Sequence, residues 1–331
     1  MRLIKSLILI GLTCSLHSCI ITISMRSIQV ETMKPAVFTI PDSIKSIGVF
    51  NLSPYKKNNL SLEYLENDKI SEDDIVNYKQ ISDKCTKALV SFLEKEAYFK
   101  KVRNFGDSIN YLESDSTAND IFKKFGIDAC LFLDDIDFKI IALDNGSEMI
   151  VNNAQIIWSL AYKNDSMSYY YNQNDTLIYD DDKTDLFYQR NNLIRIGNVA
   201  INSGEYLGKA FGAKVIPTWI QVERMYYASN NLEMLKAEKF AKNNEWIKAA
   251  EIWRIMTKNK NTMIAAKASY NMALVCEMEG HLDAANDWLV QSYSTLKENN
   301  KEQKENCQRY INLLAMRKKE IEKLAKQVRN N

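Results

Sequence analysis

Histidine is almost missing from this chain: there are two in 331 residues, His17 and His281. His17 falls in a leader-like segment, so His281 alone is left for the body of the protein. A Ser–His–acid triad would have to centre on it, and no His–Cys or His–carboxylate cluster with zinc spacing can be assembled around it. Net charge is missing as well. The 43 Lys and Arg nearly cancel the 42 Asp and Glu, which leaves no basic footprint for nucleic acid. The six cysteines contain no CxxC pair, and no D-x-[DN]-x-[DN]-G calcium loop occurs. Long apolar runs are missing too. Leu7–Leu12 has no polar side chain, but Thr13, Ser15, His17 and Ser18 break up the next stretch, short of the ~20 apolar residues of a spanning helix. These absences leave no catalytic residue, no metal site and no cofactor to name, and the chain is read as a non-enzyme.

The chain does begin with an address. Arg2 and Lys5 are the only charged side chains in the first 25 residues, and a short apolar core and small polar residues come after them. That is the pattern of a signal peptide. Leu16, His17, Ser18 and Cys19 resemble the bacterial lipobox, with an aliphatic residue three before the cysteine and a small one just before it. Cys14 is the rival, but Thr13 and Gly11 suit the motif less well. Residues 1–18 are therefore read as a lipoprotein signal peptide, Cys19 as the acylated (palmitate-bearing) residue, and 19–43 as lipid attachment and tether. Each buried acyl methylene contributes about 0.8 kcal/mol to anchoring. No acid occurs after Cys19 until Glu31. By resemblance to Gram-negative export signals, that absence favours the periplasmic face of the outer membrane over the cell surface. Cys85, Cys130, Cys276 and Cys307 are far apart, and the first three sit among apolar residues, so the four read as free thiols packed as small hydrophobes.

Residues 44–228 read as an α/β domain, a mixed sheet flanked by helices with an antiparallel meander. "SIKSIGVFNLS" (43–53) is β-rich, and "PYKKNNLSLEYLENDK" reads as an exposed loop. A helix is predicted from Ile75 to Phe99, with Glu72, Asp73 and Asp74 before it to offset the macrodipole. "YFKKVRNF" reads as a strand, and "STANDIFKKFG" as a capped helix stopped by Gly126. "DACLFLDDIDFKIIAL" reads as a buried strand. "AQIIWSLAYK", "MSYYYNQ" and "TLIYD" are separated by Asn- and Asp-rich turns and predict the meander. A long helix from Asp185 to Phe211 and the exit "TWIQVERMYY" come next. From 229 to 331 the pattern is all helical. "LKAEKFAKNNEWIKAAEIWRIM" overlays "AAKASYNMALVCEMEGHLDAANDWLVQSY" at an offset of 36 residues, close to the ~34 of a tetratricopeptide repeat. Ala237 and Ala273, with Ala249 and Ala285, fall where paired helices must approach closely, and Asn244 aligns with the turn glycine Gly280. A capping helix, with an apolar stripe through Cys307, Ile311, Leu314, Ile321, Leu324 and Val328, is expected to close the array.

The order strand, long helix, "YFKKV", second helix, "GIDACLFLDDIDF", meander, helix resembles the periplasmic α/β domain of outer-membrane assembly lipoproteins. The curli-secretion and penicillin-binding-protein-activator lipoproteins share that domain. "MKPAVFTIPDSIKSIGVFN" (33–51) and "GKAFGAKVIPTWIQVERMYY" (208–227) resemble an uncharacterised family of bacteroidete-type lipoproteins, a domain of unknown function followed by tetratricopeptide-like helices. The resemblance implies architecture and no chemistry.

Three groups of residues could carry more. "GEYLGKA" (204–210) has three residues between its glycines where a phosphate loop has four, and Ala210 stands where a hydroxyl is needed. Gly204, Gly208 and Gly212 instead recur along one helix face, as close packing requires. Asp134, Asp135 and Asp137, and Asp180–Asp182, read as turn and edge acids, with a metal-dependent hydrolase as a minor reading. Tyr169, Tyr170, Tyr171 and Tyr179, with Trp219, Tyr226 and Tyr227, could stack on sugars. The expected function is a membrane-anchored, non-enzymatic protein-interaction or envelope-assembly module. In it the membrane is held through Cys19 and a protein partner through the concave face of the repeats; nucleic acid is not a partner. A carbohydrate- or envelope-polymer-binding lipoprotein is the alternative. Met234 and Tyr270 stand where a carboxylate clamp would need basic or amide groups, so an acidic C-terminal tail is not the expected partner. Oligomeric state is not legible.

Overall fold

The computed structural model describes residues 25–53, 59–66, 69–109, 118–144, 148–165, 167–181 and 190–328. Cys19 and the signal segment 1–18 lie outside them. The strands are β1 (Met25–Lys34), β2 (Ser46–Asn51), β3 (Asn59–Glu66), β4 (Lys69–Asn77), β5 (Lys101–Gly106), β6 (Ala129–Asp144), β7 (Glu148–Tyr162), β8 (Tyr169–Asp181) and β9 (Thr218–Tyr227). The helices are α1 (Tyr78–Lys95), α2 (Ala118–Phe125), α3 (Arg190–Val215), α4 (Leu232–Lys242), α5 (Trp246–Met256), α6 (Thr262–Met278), α7 (Leu282–Thr295) and α8 (Lys301–Leu324). The fold is mixed α/β, and its C-terminal part is all helical. Two compact units divide it. One holds Met33–Thr218 and Lys323–Asn331; the other holds β1 through Thr32 together with Trp219–Glu322. These divisions differ from 44–228 and 229–331. The segment expected to be a tether contains strand β1, and β1 pairs with β9, so both strands count with the helices.

In the α/β unit the sheet order is β5-β2-β6-β7-β8. β2 runs parallel to both its neighbours and is buried from Ile47 to Asn51, as a parallel strand covered on both faces must be. β6, β7 and β8 form the antiparallel meander. The expected turn at Asn174–Asp175 is absent, because those residues continue the ladder opposite Gln155 and Ala154. The expected loop after Ser53 contains the antiparallel pair β3–β4. Glu72, Asp73 and Asp74 therefore lie on β4, and α1 starts later with no acid in its first turn. Its N-terminus is capped by Asn77, whose side chain accepts from Lys79 N at 2.8 Å, an ordinary use of asparagine. Buried residues recur on one stripe of α1, including Ile81, Cys85, Leu89 and Leu93. Trp158 stacks on Phe211 of α3 at 4.1 Å between ring centroids, and its Nε1 donates to Gln173 Oε1 at 3.0 Å. On the other sheet face α2 closes a cluster of Phe50, Phe122, Ile127 and Cys130, with Phe105 stacked on Phe50.

In the helical unit α4–α5 and α6–α7 are helix pairs. Their turns pass through Asn244 at φ 60° and Gly280 at φ 80°, the left-handed region that asparagine and glycine tolerate. Ala237, Ala249, Ala273 and Ala285 are each fully buried. The α8 stripe differs from expectation. Cys307, Tyr310, Leu314 and Leu324 are buried, while Ile321 and, beyond the helix, Val328 are exposed. Tyr310 supplies the apolar bulk that the one-turn spacing from Cys307 demands. Among the described residues no helix is long and apolar enough to cross a membrane.

Candidate functional site

The helical unit's most ordered chemistry lies where the β1–β9 ribbon meets α4, α6 and α8. Arg224 of β9 reaches Glu277 of α6 through two nitrogens, Nη2 to Oε1 at 2.7 Å and Nε to Oε2 at 2.9 Å. Tyr310 OH of α8 donates to the same carboxylate at 2.5 Å. Both charged side chains are nine-tenths buried or more. Burial alone would lower the Arg224 pKa, but the hydrogen bonds and charge of Glu277 outweigh it and hold the guanidinium above its ordinary value. Burial pushes the Tyr310 phenol well up, and the Glu277 charge adds to it. Further along, Asn271 Oδ1 accepts from Tyr227 N at 2.6 Å and its Nδ2 donates to Tyr227 O at 2.8 Å. One carboxamide thus satisfies both main-chain groups of a strand residue. At the other end, Arg26 of β1 meets Glu238 of α4 at 3.0 Å, and Lys242 shares that carboxylate at 2.7 Å. Burial works against the ionised Glu238, and the two cations hold its pKa below the usual value.

The faces of α4 and α6 that were expected to offer a concave binding surface thus carry the chain's own ribbon. Met234 and Tyr270, the positions of a would-be clamp, are buried under it. Beside the ribbon runs an open cleft of about 750 Å³. It touches every residue of β1 from Arg26 to Glu31, and Tyr226, Trp246 and Met278 also line it. Consecutive strand residues point to opposite faces, so a cleft that meets six in a row runs along the strand's edge. β9 is β1's neighbour in this two-stranded sheet; the cleft-side edge has no ladder partner among the described residues. A smaller notch of about 360 Å³ lies near Met25, lined by Arg224, Met225, Arg309 and Leu313 among others.

The remaining sequence candidates fall elsewhere. Gly204, Gly208 and Gly212 of α3 face α1. A Cβ at Gly204 would stand 2.7 Å from Ile81 O, at Gly208 2.1 Å from Cys85 O, and at Gly212 2.4 Å from Phe92 Cδ1. Gly197 belongs to the same face, 3.1 Å from Ile75 O; its wider spacing of seven residues from Gly204 hid it. His281 is exposed at the start of α7 and makes no cap bond. A register shift falls between Leu133 and Asp135 of β6; Asp135 accepts from Ile136 N, and Asp137 accepts from Tyr78 OH at 3.2 Å. Among the described residues no three His, Cys, Asp or Glu are grouped to hold a metal ion. Tyr169 and Tyr171 turn inward, stacked on Tyr162 and Phe211, while Tyr170 is 71% exposed. Tyr179 reaches Ser203 Oγ at 2.8 Å. Trp219 is exposed, and Tyr226 and Tyr227 are buried. Cys85, Cys130, Cys276 and Cys307 are all free thiols, and burial raises the pKa of each. Sequence reasoning missed the Arg224–Glu277–Tyr310 group, because charged residues on a strand and a helix give no local sign that they will meet.

A family model described as Domain of unknown function (DUF8603) matches residues 44–227, more than half of the chain. The chain belongs to the DUF8603 family. The DUF8603 region covers the sheet, α1–α3 and β9. A second model, Domain of unknown function (DUF6340), matches residues 235–316, the helix pairs and most of α8. No curated protein matches. Among solved structures this DUF8603 chain is similar to the crystal structure of a minor lipoprotein from Acinetobacter baumannii. The identity is 9%, the TM-score 0.31, and the likeness covers 53% of this chain and 92% of that one.

Proposed function

We propose that the chain is a lipid-anchored, non-enzymatic protein-interaction module of the bacterial cell envelope, held at the periplasmic face of the outer membrane through acylated Cys19. The helix pairs are read as tetratricopeptide-like, on the 36-residue offset that also relates Asn244 to Gly280, and the family as bacteroidete-type. The observation that carries the interaction reading is the cleft along β1. A strand edge from Arg26 to Glu31 with no ladder partner among the described residues, beside Trp246 and Met278, suits an extended polypeptide, which would gain main-chain hydrogen bonds from β1 and side-chain burial against those two residues. The partner's site thus moves from the face of the repeats, which the ribbon fills, to the edge of that ribbon.

The test is a pulldown from solubilised envelope with the wild-type protein, Cys19→Ala and Trp246→Ala. A discrete protein partner should be enriched by wild type, retained by Cys19→Ala in detergent, and reduced at least about tenfold by Trp246→Ala, the scale of losing an aromatic anchor. Cys19→Ala should also leave the membrane fraction. Enrichment of soluble glycan with no protein partner would overturn the reading.

A further inference from the structure

Within the α/β unit the last described residues of the chain are held most closely through the side chain of Gln327. Gln327 is 2% exposed. Its Oε1 accepts from Ala36 N at 2.9 Å. Its Nε2 donates to Ala36 O at 3.1 Å, Phe38 O at 2.9 Å and Thr39 Oγ1 at 3.3 Å. Tyr98 OH donates to the Gln327 main-chain oxygen at 3.0 Å. The flanks are looser. Lys323 Nζ donates to Val37 O at 3.0 Å from an exposed position, and Val328 is 52% exposed. Two deep anchors, Gln327 and Leu324 at 7% exposure, among exposed neighbours are the pattern of a bound peptide.

The receiving segment is built without Gln327. Val37 N donates to Lys214 O at the end of α3 at 2.7 Å. Phe38 packs edge-on against Tyr171 and Phe211 in the sheet–helix core, and Ile40 is buried in the same cluster. The polarity of the contact is also fixed. Ala36 N–H can only donate, and the Ala36 and Phe38 carbonyls can only accept. A carboxamide supplies one acceptor and two donors in the matching order. A carboxylate would set an oxygen against two carbonyls, and an alanine would leave one donor and two acceptors buried and unpaired.

We propose that Ala36–Thr39 with Tyr98 form a recognition socket for a glutamine carboxamide, and that the C-terminal segment Lys323–Val328 is its exchangeable ligand, bound in cis. The socket takes a short peptide carrying glutamine at the position of Gln327, and it rejects the glutamate form.

The experiment uses the chain ending at Glu322 and a fluorescent peptide of residues 319–328, monitored by anisotropy. The shortened chain should bind the peptide saturably at one site. The full chain should bind it at least about tenfold more weakly, because its own segment fills the socket. Peptides with Gln327→Glu or Gln327→Ala should bind the shortened chain at least about tenfold more weakly than the native peptide, the scale of unpaired buried groups. A folded shortened chain that binds no peptide, or binds the Gln327→Glu peptide equally well, overturns the proposal. Should the shortened chain not fold, Gln327→Glu in the full chain is read by amide hydrogen exchange. At least about tenfold faster exchange at the Ala36 amide supports the socket, and unchanged exchange there overturns it.

Discussion

At Gly208 one methyl group decides whether two helices can meet. An added Cβ would lie 2.1 Å from the Cys85 carbonyl oxygen, which is main chain in the middle of α1 and has little room to yield. Replacing a helix glycine by alanine gains up to about 1 kcal/mol in propensity, whereas overpacking costs typically about 1–3 kcal/mol and sometimes more. Gly208→Ala is therefore expected to lower the unfolding free energy by about 2 kcal/mol in a urea titration, the upper end of the overpacking cost less the propensity gain. Gly197→Ala, where the nearest atom stands 3.1 Å away, should stay within about 1 kcal/mol of wild type, because propensity offsets a mild squeeze. Equal losses at the two positions would rule out close approach to the Cys85 carbonyl of α1 as the reason for Gly208. Asn152 makes the opposite case. It is fully buried in β7, and among the described residues neither Nδ2 nor Oδ1 has a hydrogen-bond partner. A buried polar group left unpaired costs about 1–3 kcal/mol. Asn152→Val removes both and introduces a β-branched side chain suited to a strand, so it should raise the urea midpoint. A lower midpoint would mean that the carboxamide serves a contact worth keeping. Asn271 and Gln327 show what a well-used carboxamide does in this protein, each pairing with both main-chain groups of one residue.

At the scale of elements, the ribbon's attachment rests on a buried ion pair. Removing one partner of such a pair strands the other charge and costs about 3–5 kcal/mol, while replacing both by apolar residues of similar size is often neutral or better. Arg224→Met and Glu277→Leu should each destabilise the helical unit by about that amount. The double variant should recover most of the loss, short only of the Tyr310 hydrogen bond to Glu277. Thermal unfolding of the four proteins checks this, and additive losses in the double variant would show that the pair is no unit. The ribbon also marks where sequence reasoning stops. β2, α1, α2 and the meander were legible because their signals are local: apolar runs, helical spacing, the Gly126 stop. The 36-residue offset, with Asn244 at φ 60° and Gly280 at φ 80°, was legible for the same reason. β1 was not. Its partner β9 lies beyond the whole α/β unit in sequence, and pairing at that separation leaves no trace in the composition of either strand. β4 was misread because "EDD" before a helical pattern imitates a helix start, while the strand pairing that claims those residues is set by β3. The cleft along β1 was invisible for the same cause as β1 itself.

At the scale of the molecule, both units bury phenols, and this ties stability to alkaline pH. Burial pushes Tyr78 of the α/β unit up to about 12 and Tyr227 of the helical unit up to about 12. It also raises Tyr270 and Tyr310. In the unfolded chain these groups ionise near about 10. Their native pKa values are raised, so the neutral form is the one that folding favours. Their contribution is complete below about pH 10. Above that, the unfolded chain releases protons that the native chain keeps, and stability falls as pH rises through about 12. Lys267 acts in the opposite sense, because burial lowers its pKa and its cost is relieved as pH rises. It is one group against four tyrosines in the helical unit, Tyr226 included, so the net slope is downward. Tyrosinate absorbance should therefore lag behind a free phenol's titration and then rise together with the loss of helical circular dichroism. Tyr270→Phe isolates the effect, since it removes a raised phenol and keeps the ring that packs edge-on against Tyr227. Its stability at neutral pH should stay close to wild type, and its alkaline unfolding midpoint should move to higher pH. An unchanged alkaline midpoint in that variant would show that Tyr270 carries none of the pH dependence.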